Sequence, residues 1–130
     1  MKSYLADEIA RSGLVAHVAV HSFTPVLKGV VRETDIGLLY DPRRSIETDF
    51  CNLWKKNIGK LNGTLRVRMN YPFKGYNDGL TTGMRKNFNN NEYIGIELEI
   101  NQKFLRKENL KKQTLIHSII SSFRTTCEKF

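Results

Sequence analysis

Apolar and polar positions change period several times along this chain, and each change predicts an element. Residues 3 to 12 carry a short helical pattern that Ser12-Gly13 stops. From Leu14 to His21 the chain is apolar nearly throughout and bounded by Gly13 and Pro25, which predicts a strand. A continuous apolar run implies burial on both faces, as in a sheet covered by helices. Thr34 to Tyr40 reads as a second strand, ended by Asp41-Pro42. Ile46, Phe50, Leu53, Trp54 and Ile58 then recur near a 3.6 period and predict an amphipathic helix over 44–60, with Ser45 as its candidate cap. After Gly63, the alternation of Leu65, Val67 and Met69 with Arg66 and Arg68 predicts a third strand, Thr64 to Asn70. Tyr93 to Ile100 is a fourth. Leu110 to Lys129 is a closing helix with Leu115, Ile119, Ile120 and Phe123 inward. The Asn- and Gly-dense stretch NYPFKGYNDGLTTGMRKNFNNN breaks the pattern, and such long irregular segments in compact domains are usually functional or loose. Strands alternating with helices predict an α/β layered sheet. No repeat or linker divides residues 1–130, so a single domain is expected.

Composition narrows the class. The chain has 130 residues, 40% hydrophobic and 26% charged, enough for one domain with a genuine core. Its apolar runs are far too short to cross a bilayer, so no membrane partner is expected. The start, MKSYLADEIARSG, has acidic residues where a secretory signal needs an apolar core, and the expected compartment is the cytoplasm. Cys51 and Cys127 form no metal-binding CxxC pair and receive no role. The net charge of +8 favours anionic partners, either nucleic acid or an acidic small molecule. The cations are scattered, from Lys55 to Lys112, and most read as a solvated surface.

Three constellations carry candidate chemistry. His17 and His21 are four apart on one strand, so they share a face, and His21 lies at the carboxyl end, where open α/β sheets place ligands. A neutral imidazole there can bind zinc; the plainer reading is a hydrogen-bonded histidine at a core edge. Glu97 and Glu99 also share a face, where a carboxylate can take a proton from a metal-activated water. Their plainer reading is the polar face of a half-exposed strand, continued by Asn101. Arg32 can grip a substrate carboxylate with two parallel hydrogen bonds; taken alone, it reads better as the ion-pair partner of Glu33 or Asp35. No GxSxG elbow, P-loop or GxGxxG is present. GTLRVRMNY lacks the aromatic pattern of a nucleic-acid-binding strand.

Together, HVAVHSFTPVLKGVVRETDIGLLYDP, RVRMNYPFKGYNDGLTT and YIGIELEINQKF, in that order and spacing, resemble the N-formylglutamate amidohydrolase family. The likeness runs from Leu14 to the end of the chain. It implies a zinc-dependent amide hydrolase with a zinc-carboxypeptidase-like fold, a mixed α/β sheet between helical layers. In such enzymes an early histidine and acid supply two zinc ligands and a later histidine the third. His21 matches that third ligand, and Glu99 matches the carboxylate that activates the water. Arg32, Asn70 and Tyr71 fall where groups holding the substrate carboxylate are expected. The implied reaction hydrolyses a formyl or similar amide of a small acidic N-acyl amino acid.

The family's domain is longer than this chain, and no upstream HxxE-like pair exists here. The resemblance therefore casts the chain as the C-terminal half of the domain, with the other zinc ligands expected upstream. An incomplete fold predicts exposed apolar surface and association, with a missing N-terminal segment or a second copy as the partner. Two other functions compete: a non-catalytic descendant that binds anions, and a basic nucleic-acid-binding domain.

Overall fold

A computed structural model describes residues 1–77, 79–106 and 110–130; Asp78 of the loop motif and Lys107 among the scattered cations lie outside them. Helix α1 (Lys2–Ser12) leads into strand β1 (Val15–Phe23), followed by a hairpin of two short strands, β2 (Val26–Leu27) and β3 (Val30–Val31). Then come β4 (Ile36–Leu39), α2 (Ser45–Leu61), β5 (Val67–Met69), α3 (Leu80–Arg85), β6 (Tyr93–Asn101), a 3-10 turn (Gln102–Phe104) and α4 (Leu110–Cys127). The main sheet runs β1-β6-β4-β5. β1 is parallel to β6 and β4 parallel to β5, whereas β4 and β6 are antiparallel. The molecule is thus α/β, a mixed sheet flanked by helices.

One face of the sheet is apolar. Ile94, Ile96, Leu98 and Ile100 of β6 join Ile36 and Leu38 of β4, and Phe50, Trp54 and Ile58 of α2 and Leu115 and Ile119 of α4 pack against them. Each such side chain contributes roughly 1.5–3 kcal/mol when fully buried. The two helices are also joined by polar contacts: Trp54 Nε1 donates to Ser122 Oγ at 3.0 Å and Asn57 Nδ2 to Thr126 Oγ1 at 3.0 Å. The opposite face carries a smaller core of Leu5, Phe88 and Tyr93 at the start of β6, and beyond it the sheet is polar.

Several sequence expectations change. β1 is an edge strand and not one buried on both faces: Val20 is 63% exposed, since nothing among the described residues pairs with its outer side. β6 is the strand buried throughout, because β1 and β4 flank it, so Glu97 and Glu99 are not the face of a half-exposed strand. The α2 cap is Arg44 without a side-chain cap bond, not Ser45. Arg44 instead turns its guanidinium to the carbonyls of Arg85, Phe88, Asn89 and Tyr93. Ile120 faces outward, at 49% exposure, one position beyond the stripe that α2 covers. The hairpin leaves Val26, Leu27, Val30 and Val31 exposed, an apolar patch. No described helix is long and apolar enough to cross a membrane.

Candidate functional site

The register of β1 against β6 builds the site. His21 pairs with Glu99, Ala19 with Glu97 and His17 with Gly95, so both histidines and both acids share the polar face. On the other side of β6, Gly37 pairs with Glu99 and Leu39 with Glu97. These strands floor a cleft of about 630 Å3 whose walls come from the loop after β5 and the start of α3. His21, Glu97 and Glu99 all line it.

Two glycines let the loop come down onto the sheet. A Cβ on Gly37 would stand 1.9 Å from the Tyr71 carbonyl oxygen. Gly79, at φ +156°, passes so close to Glu97 that a Cβ would lie 3.0 Å from its Oε1. Asn70 fixes the approach from the other end. It takes a left-handed φ of 51°, and its Oδ1 accepts from the backbone N–H of Tyr40 at 3.1 Å and of Gly75 at 2.9 Å.

The floor is electrostatically unsettled. His21 Nε2 is 3.3 Å from Glu97 Oε1, with the imidazole half exposed. Glu99 is only 5% exposed, and its Oε2 is buried without a hydrogen-bond partner. Burial pushes the Glu99 carboxyl above its ordinary range; His21 pulls it back, Glu97 pushes it further up and Arg32 pulls it down. His17 lies deeper, its Nδ1 2.7 Å from the Tyr93 hydroxyl. Burial lowers its pKa, which Glu97 partly restores.

Of the residues singled out by sequence, His21 and Glu99 therefore meet in one cleft, and Glu97 joins them. Arg32 does not line it. Its guanidinium lies 5.8 Å from the Phe23 ring centroid, one step further along β1, and donates to the Thr24 carbonyl at 3.3 Å. Nor does it pair with its neighbouring acids: Glu33 takes Arg66 and Asp35 takes Lys103, each at 2.7 Å. Arg32 does line a second groove of about 840 Å3, with Arg66, Lys103 and Phe104. That groove is larger, but those ion pairs neutralise much of its charge, and its described lining residues include no histidine and no unpartnered buried acid. The smaller cleft is the better chemical site. Asn70 and Tyr71 hold the loop: the Tyr71 ring lies under Arg68, 4.3 Å from its guanidinium carbon.

The fit of these residues to zinc is partial. An imidazole whose Nε2 faces a carboxylate leaves Nδ1 for a metal, the usual arrangement in which an outer carboxylate orients a ligating histidine. The orphaned Glu99 oxygen is the right donor type for a metal-activated water. A whole site is not present, since no group of three or more His, Cys, Asp or Glu among the described residues could hold a metal.

No family model matches the sequence, and no curated protein matches it significantly. Among solved structures, the fold is similar to the crystal structure of gene product Atu2144 from Agrobacterium tumefaciens, at 21% identity and a TM-score of 0.63. The likeness covers 98% of this chain and 48% of that one, so this chain spans about half its neighbour's length. At that identity the likeness establishes the α/β fold alone.

Proposed function

We propose that this chain carries part of the active site of a cytoplasmic zinc-dependent amide hydrolase, of the N-formylglutamate amidohydrolase type and on a zinc-carboxypeptidase-like fold. The observation that carries the reading is the buried, unpartnered carboxylate oxygen of Glu99, directly across the sheet from His21. His21 would hold the metal together with ligands from outside the described residues. When bound, zinc lowers the pKa of a water to about 7 and polarises the amide carbonyl.

The chain's own residues do the rest. Glu99 accepts the proton of the attacking water and passes it to the departing amide nitrogen, and its raised pKa brings it nearer to neutral operation. Glu97 keeps the His21 ring oriented through Nε2. The loop from Asn70 onward walls the floor and shapes the space left for an N-acyl amino acid.

The test uses the protein as its gene encodes it. His21→Ala should lower zinc content, whereas Glu99→Gln should retain zinc and lose turnover of N-formyl-L-glutamate or a related N-acyl amino acid. If His21→Ala bound zinc like the wild type, the metal assignment would fail. If the wild type bound zinc and anions without turnover, the protein would be an anion-binding descendant and not an enzyme.

A further inference from the structure

The cleft joins two unlike halves. Its floor, on the sheet, carries His21, Glu97 and Glu99, and its rim, on the loop and α3, carries Phe73, Lys74 and Leu80. Phe73 and Leu80 are 53% and 43% exposed although both are large and apolar. Lys74 is the one lysine or arginine among the described lining residues. Neighbouring cations are committed elsewhere: Arg43 to Asp41, Arg68 to the Tyr71 ring, Arg85 to Glu47 and Arg32 to Thr24. Among the described residues the Lys74 ammonium has a distant aromatic neighbour, 5.9 Å from the Tyr76 ring centroid, and no ion pair.

We propose that Lys74 recognises the ligand's carboxylate and that Phe73 and Leu80 beside it receive an aliphatic or aromatic side chain. The preferred ligand is then an N-acyl amino acid with one carboxylate and an apolar side chain. This rests on the amide-hydrolase reading and narrows its substrate. A dicarboxylate such as an N-acylglutamate brings two negative charges to one ammonium. Beside Lys74, the described lining offers its second carboxylate the apolar Phe73 and Leu80, the uncharged Asn77, or the acids of the floor, which repel it. The separation of charges also sets orientation. With the carboxylate at the lysine rim and the side chain on Phe73, the amide is left over the floor beside Glu99.

Calorimetric titration of the full protein, zinc present, with N-acetyl-L-leucine, N-acetyl-L-leucinamide and N-acetyl-L-glutamate tests this. The leucine acid should bind about tenfold or more tightly than its amide, as expected for a charge-assisted contact, and more tightly than the glutamate derivative. Lys74→Ala should abolish the preference for acid over amide, Lys74→Arg should keep most of it, and added salt should erode it. Phe73→Ala should weaken acid and amide alike. Lys74 and Phe73 are exposed, so these variants should melt like the wild type. An intact preference in Lys74→Ala, tighter binding of the glutamate derivative, or no binding of any acid by the wild type would overturn the inference. Binding through Lys74 without hydrolysis would count against the hydrolase reading alone.

Discussion

Two buried carboxylates lie against β6 in opposite circumstances. Glu47, 0% exposed on α2, accepts from the backbone N–H of Asp41 and Gly95, each at 2.9 Å, and both its oxygens accept from Arg85 Nε. Arg85 also donates to the carbonyls of Gly75 and Gly95, at 2.7 Å each, and to the Thr82 hydroxyl at 3.4 Å. Glu47 thereby takes over where β4 has stopped pairing with β6, and it ties α2, α3 and the loop to the sheet. Four residues along the strand, Glu99 is nearly as buried, yet one of its oxygens meets no donor. A buried acid with complete partners holds structure together. One with incomplete partners costs stability and stays available for chemistry.

Substitution should separate the two roles. The largest effect is expected at Glu99. Glu99→Gln keeps the shape and removes the proton acceptor, so turnover in the zinc-loaded protein should fall about 100- to 10,000-fold with metal content unchanged. Near-normal turnover would exclude Glu99 as the base and leave Glu97 as the carboxylate to test. Glu47→Ala should act on the fold instead: a buried guanidinium without its partner costs about 3–5 kcal/mol, readable by urea unfolding. If Glu47→Ala unfolded at the wild-type midpoint, the structural reading of that pair would be wrong.

A smaller effect is expected where the loop meets the sheet. Gly37→Ala places a methyl where the Tyr71 carbonyl oxygen now sits, so the loop must shift, at a cost of about 1–3 kcal/mol. Because that loop carries Phe73 and Lys74, binding of N-acetyl-L-leucine should suffer more than stability does. A variant that bound the ligand normally would show that the cleft does not depend on this close approach.

The sequence was most legible where periodicity is strong. α2, α4 and the four strands of the main sheet are where the 3.6 period, the apolar runs and the alternation after Gly63 place them, with ends shifted by a few residues. Neighbours are less legible, because an apolar run looks alike on an edge and in the centre of a sheet, so the run of β1 does not reveal its edge position. The two-residue strands of the hairpin and the six-residue α3 are too short to set up a period. For the site, the histidine and the two acids are visible as residues, but their meeting depends on the register of two strands far apart in sequence, His21 beside Glu99. The anchoring role of Asn70 had one local signal, since asparagine tolerates a left-handed turn. Lys74 had none: among scattered cations, only the folded loop distinguishes it.

The subtlest effect of the unpartnered Glu99 should appear in how stability depends on pH. Burial raises the Glu99 pKa in the folded protein, while in the unfolded chain it returns to about 4.3. Between those two values the native state binds more protons at this site than the unfolded state does. Stability therefore falls as pH rises through that window, and the full penalty is present above it. Asp41 runs the other way: the Arg43 guanidinium beside it lowers its pKa, so its contribution is present above the ordinary carboxyl range and lost as pH falls through the lowered value. Urea unfolding of wild type and Glu99→Gln across pH 4 to 8 isolates the first effect, because Asp41 is common to both. The wild type should lose stability relative to Glu99→Gln as pH rises from the acid end, and the difference should level off at higher pH. A difference that stayed flat, or that favoured the wild type at neutral pH, would mean that the Glu99 carboxylate is satisfied in solution and has lost the feature that distinguishes it from Glu47.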